Sequence, residues 1–172
     1  QRNPVRGNVR HPGLPSATAE GNVNMNEART NQHGVEISAR HIFRWAEFDT
    51  VRWNDNGIKA QMASGEHMHL IRAAYPPGST YVMHTHPHEQ FSLLLSGRIR
   101  LTVGEETREI GPGDGWYAPA GVPHGGDILG KEKAVFIDVY SPATPWILGE
   151  FATGKRIPRA SPGADSKSGG VW

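Results

Sequence analysis

The sequence predicts an all-β fold, a sandwich or barrel of many short strands. Three observations carry that reading. Between residues 58 and 142, turn signals recur about every 8 to 12 residues, the spacing of strands joined by tight connections. The runs between them are rich in β-branched and aromatic residues, which suit a pleated, half-buried surface. The chain also holds 21 Gly and 13 Pro residues, which favours frequent reversals over long helices. At 172 residues it is long enough for one core and short for two, so one domain is expected.

The elements follow in order. Residues 1–35 are polar, rich in Gly, Pro and Asn, and without apolar periodicity, so they read as an extended arm. Residues 36–148 should form the barrel. The one candidate helix is short and lies within "SARHIFRWAEF" (38–48). "IKAQMAS" (58–64) and "EHMHLIRAAY" (66–75) read as strands parted by the Ser64-Gly65 turn, and "PPG" (76–78) ends the second. "STYVMHTH", "EQFSLLLS", "RIRLTV" and "ETREI" come next, the last three separated by Gly97 and Gly104. "GPGDG" (111–115) supplies positive φ and a tight reversal. It lacks the spacing and following helix of a P-loop, so nucleotide binding is not expected. "WYAPAGVPHGGDIL" and "KAVFIDVYS" complete the set. Arg98 and Arg100 flank Ile99 and read as solubility charges on an edge strand. Residues 149–172 read as a loose tail.

Charge narrows the function. Eighteen basic residues stand against 17 acidic ones, which gives no electrostatic case for a nucleic-acid partner or an anionic membrane surface. No apolar run approaches the roughly 20 residues that span a bilayer, so no membrane partner and a cytoplasmic location are expected. With no Cys, disulfides and thiolate chemistry are excluded.

Chemistry concentrates in "HTHPHEQ" (84–90). In a strand, residues of one parity share a face, so His84, His86 and Gln90 should point the same way. Pro87 cannot donate a ladder bond and marks a turn. A hairpin would then set His84 and His86 on one strand and Gln90 on its partner. Two imidazoles and an amide oxygen make most of a first-row metal site, and His124 is the best fourth ligand. His88 follows Pro87 into the turn and reads as a rim residue. His67 and His69 read as solvent-facing. Asp138 shares parity with Ala134, Phe136 and Tyr140, and a carboxylate on an apolar face needs a partner or a task. We expect Asp138 to act as general acid/base, with Tyr140 orienting the substrate or passing a proton.

These residues carry a resemblance. "GSTYVMHTHPHEQFSLLLSG" (78–97) and "GDGWYAPAGVPH" (113–124) resemble the two cupin motifs. The resemblance implies a jelly-roll barrel (a double-stranded β-helix) holding one divalent metal ion, whether zinc, nickel, iron or manganese. His84, His86, Gln90 and His124 would be its ligands. The family's usual Glu falls on Gln90; Glu89 is one residue out of phase. A neutral Gln leaves the ion its full double charge. "HPHEQ" with "IDVYSP" (137–142) is similar to the KdgF-type cupins, which linearise 4,5-unsaturated uronates. That likeness implies lyase or isomerase chemistry on a small sugar-acid-like substrate, with Asp138 and Tyr140 in the pocket. The group's following Arg falls on Thr144, and Arg72 is the replacement if it faces inward. An iron-dependent dioxygenase and a non-catalytic binding cupin are the alternatives. Small cupin barrels often pair, so a homodimer is expected, with the N-terminal arm crossing to the partner.

Overall fold

The computed structural model describes residues 29–38, 41–53, 57–147 and 155–157. Eleven strands run through them: β1 (Thr50–Trp53), β2 (Ile58–Ser64), β3 (His69–Tyr75), β4 (Thr80–His84), β5 (Glu89–Ser96), β6 (Arg98–Val103), β7 (Glu106–Ile110), β8 (Gly115–Ala118), β9 (His124–Leu129), β10 (Ala134–Ser141) and β11 (Lys155–Ile157). They form two antiparallel sheets, ordered β11-β1-β2-β3-β10-β5-β8 and β4-β9-β6-β7. The predicted strand runs from Ile58 to Ser141 reappear, some trimmed at their ends, except that "WYAPAGVPHGGDIL" is split into β8 and β9.

Alternation along the central strands sends one row of side chains between the sheets. Strand β5 shows it plainly: Gln90, Ser92 and Leu94 are buried while Glu89, Phe91, Leu93 and Leu95 are exposed. Ile58, Ala60, Ile71, Ala73, Leu94, Ile99, Leu101, Ile128 and Phe136 meet in one apolar cluster. Phe136 anchors it, packed edge-on against Tyr75 at 5.4 Å and Trp116 at 5.2 Å between ring centres. Such offset aromatic contacts add to the stabilisation from burial alone.

Several expectations are corrected. The helix within 38–48 is only a 3-10 turn, Trp45–Glu47. The buried Gln61 amide donates to the carbonyls of Trp45 (2.8 Å) and Phe48 (3.2 Å). The Trp45 carbonyl also accepts from the Phe48 amide, which closes the 3-10 turn, and Phe43 packs edge-on against Trp45 and Phe48. Arg98 and Arg100 lie on β6, which sits between β9 and β7 and is not an edge; both pair with Glu109. Part of the expected tail is β11, paired with β1. Of the "GPGDG" glycines only Gly113 has positive φ. The described end of the arm folds onto its own barrel: Asn31 donates to the Ala143 carbonyl at 2.8 Å and accepts from the amides of His33 and Val35. Residues 1–28, and with them the crossing arm, lie outside the described residues.

Candidate metal centre

The expected hairpin does not form. Strand β4 ends at His84 in the smaller sheet, and β5 begins at Glu89 in the larger one. The "THPH" segment crosses between sheets, and that crossing swings His86 over the mouth of the barrel. The partner of His84 is His124, at the start of β9. Gly125 makes this pairing possible. A Cβ there would sit 2.7 Å from the Tyr81 carbonyl and the Met83 Cα, inside any tolerable contact.

His84, His86 and His124 converge, each offering a ligating atom within 4.8 Å of the others. Their tautomers are set by the backbone. His84 Nδ1–H donates to the Val82 carbonyl (2.8 Å), His86 Nδ1–H to that of His88 (2.9 Å), and His124 Nδ1–H to that of Val122 (2.9 Å). A neutral ring that donates from Nδ1 carries a lone pair at Nε2. Gln90 Oε1 lies 3.0 Å from His86 Nε2 and 3.1 Å from His124 Nε2.

With the rings neutral, four acceptor atoms therefore face one another with no donor among them, those of His86, Gln90 and His124 buried and that of His84 half-buried. Burial, opposed in part by the Val122 hydrogen bond and aided by neighbouring His84 and His86, drops the His124 pKa to about 4. That ring stays neutral near pH 7 and cannot relieve the crowding with a second proton. A cation at the centre does so directly, and three imidazoles with one amide oxygen suit a first-row divalent ion. The residues present fit a metal.

Behind Gln90 lies a second layer. Its Nε2 donates to Ser92 Oγ (2.7 Å), to Asp138 Oδ1 (3.3 Å) and, more distantly, to the Tyr81 hydroxyl (3.5 Å). Ser92 Oγ donates to the same Asp138 Oδ1 at 2.6 Å. The register explains the grouping: Asp138 is paired with Ser92, and Tyr140 with Gln90. Burial lifts the Asp138 pKa to about 7, against the downward pull of the Ser92 and Gln90 hydrogen bonds. Tyr140 is buried beside Tyr81, and burial together with the Asp138 charge raises both phenols. Asp138 and Tyr140 thus stand next to the four donors. Arg72 does not. It pairs with Gln61 and Ile137, whereas Asp138 pairs with Ile71, so Arg72 lies on the opposite face of the sheet.

Two histidines expected at the surface are buried. His69 accepts from Ser64 Oγ at Nδ1 (2.9 Å) and donates from Nε2 to the Thr144 carbonyl (3.0 Å). His88 bonds the Thr144 hydroxyl through Nε2, while its buried Nδ1 has no partner among the described residues. Together they pin residues 142–147 across the mouth and bring the Trp146 ring within 5.8 Å of His86 and 5.3 Å of His88. A strand period cannot foresee this, because the pin comes from a segment beyond β10. Tyr81 was missed for a related reason: a register irregularity between Tyr81 and His84 breaks the parity count. A cavity of about 570 Å³ also opens between β7 and β8, with Trp116 in its wall, and contains none of the four donors.

Residues 71–140 match the cupin domain family. An uncharacterised protein of Streptomyces coelicolor is 30% identical over 100 residues, 58% of this chain and 94% of that one. The H2HPP isomerase of Bacillus subtilis is 26% identical over 117 residues, 63% of this chain and 49% of the relative, so the chain spans about half that protein's length. Among solved structures, KdgF from Halomonas sp. aligns with a TM-score of 0.54 at 24% identity, covering 60% of this chain and 94% of that one. This last likeness is one of fold.

Proposed function

The chain belongs to the cupin family, and on that premise we propose that it is a metal-dependent enzyme that moves a proton within a small oxygenated acid, an isomerase or lyase. The convergence of three Nε2 lone pairs and the Gln90 amide oxygen carries the metal half of this reading. A divalent ion bound there would supply Lewis acidity to a substrate carbonyl or carboxylate oxygen.

The chain's own groups support the proton half. Asp138 titrates near neutrality because it is buried, which is where a group that both takes and returns a proton works best. Both of its hydrogen bonds fall on Oδ1, so Oδ2 is the atom assigned to the transfer. Tyr140, opposite Gln90 in the register, would orient the substrate. One relative is an isomerase by name, and the resemblance of "HPHEQ" and "IDVYSP" to the KdgF-type cupins is the ground for trying an unsaturated uronate. Arg72 has no place in this scheme.

The test is proton NMR in deuterated water with zinc-loaded protein, using 2-oxo acids and 4,5-unsaturated uronates as substrates. Isomerisation with solvent deuterium entering one carbon position is expected. Turnover that consumes oxygen, or binding with no exchange in any substrate, would sink the proposal.

A further inference from the structure

The Gln90 side chain can lie two ways. As it stands, Oε1 faces His86 and His124, and Nε2 faces Ser92 and Asp138. Reversed, its N–H groups would satisfy the two imidazole lone pairs and close the centre to any cation. Without a metal, the histidines themselves favour that reversed state. Something must outweigh them.

We infer that Asp138 and Ser92 form a latch that fixes the Gln90 amide with its oxygen toward the histidines, so that the carboxylate expected among the ligands acts here from behind one. The inference rests on the metal-centre reading above. The bonding leaves little choice. Ser92 Oγ gives its only proton to Asp138 Oδ1 at 2.6 Å, so toward Gln90 it can only accept. Asp138, when ionised, can only accept as well. The two nearer neighbours, Ser92 and Asp138, demand a donor from Gln90, and one carries charge, which makes its hydrogen bonds the stronger ones; the Tyr81 hydroxyl, at 3.5 Å, accepts either face of the amide. The reversed amide would set Oε1 against a carboxylate and a hydroxyl lone pair. Asp138 is thus a positioning residue in addition to any role in proton transfer, and it acts on the ion through Gln90.

This makes the effect of Asp138 depend on what occupies position 90. A Gln needs orienting. A Glu has two equivalent oxygens and needs none, and it would meet Asp138 as a like charge. The experiment measures zinc affinity, by competition with a chromophoric chelator, in the wild type, D138N, Q90E and Q90E/D138N. The expected results are a 10- to 100-fold loss in D138N, the scale seen when a group supporting a ligand is removed, and tighter binding by Q90E/D138N than by Q90E alone. Unchanged affinity in D138N, or the same loss in both backgrounds, would overturn the latch. A wild type that binds no zinc would instead sink the metal centre itself, and the latch with it. Circular-dichroism melting of the metal-free variants guards against misfolding. D138N is expected to fold and to melt no lower than the wild type; if it does not fold, Asp138 is a structural carboxylate and the latch is wrong.

Discussion

Removing Asp138 should stabilise the metal-free protein, and the gain should grow with pH. The ionised carboxylate is buried among tyrosines, and its pKa rises from 3.8 to about 7. At ~1.4 kcal/mol per pKa unit, the ionised form costs about 4 kcal/mol in the fold. The folded pKa lies above the unfolded one, so the native state holds more protons between about pH 4 and 7, and stability falls as pH rises through that window. His124 works the other way. Its pKa falls from 6.5 to about 4, so its contribution is complete above the upper value and is lost as pH drops toward the lower. Both proteins share His124, so comparing wild type with D138N isolates the aspartate. About two pKa units of the Asp138 shift lie between pH 5 and 7, so the D138N advantage should widen by about 3 kcal/mol between pH 5 and 8. Urea denaturation of chelator-stripped protein at the two pH values measures it. An advantage that stays constant across that range would refute the burial argument.

Other outcomes follow from the same geometry. His86→Ala should abolish stoichiometric metal binding in inductively coupled plasma analysis, since it deletes one Nε2 and empties the contact to Gln90. Gly125→Ala should lower both the melting temperature and the zinc affinity, because its Cβ would press on the Tyr81 and Met83 backbone and part His84 from His124. Phe136→Ala should cost about 3–5 kcal/mol in chemical denaturation, as expected for a buried aromatic at the centre of a core. Trp146 is 41% exposed, so Trp146→Ala should change stability little. It should speed metal removal by a chelator, because the indole shields His86 and His88.

Much of the barrel was legible because its strands are short, alternating and bounded by Gly and Pro. Ile58–Ser64 and Glu89–Ser96 match the runs read from sequence, and the inward row of Gln90, Ser92 and Leu94 follows from parity. The convergence of His84, His86, His124 and Gln90 was legible too, though for a partly mistaken reason. Parity placed His84, His86 and Gln90 on one hairpin face, whereas the chain crosses between sheets and reaches the same convergence by another path. What failed was what depends on distant segments. His69 looks solvent-facing and His88 looks like a rim residue until Thr144 comes across the mouth, its carbonyl accepting from His69 and its hydroxyl bonding His88. Arg72 looked available to the pocket, but the pairing of β3 with β10 sends it outward. Residues 45–48 form only one 3-10 turn, and the amide of Gln61, more than ten positions away, bonds the Trp45 and Phe48 carbonyls.

The central claim is that three imidazole nitrogens and the Gln90 oxygen hold one cation. Crystals grown with zinc, measured at its absorption edge, test it most directly. The expected anomalous map has a single strong peak about 2.0–2.1 Å from Nε2 of His84, His86 and His124, with Gln90 Oε1 completing the set. An empty map at that point, or a peak with the Gln90 oxygen turned away from it, would contradict the account.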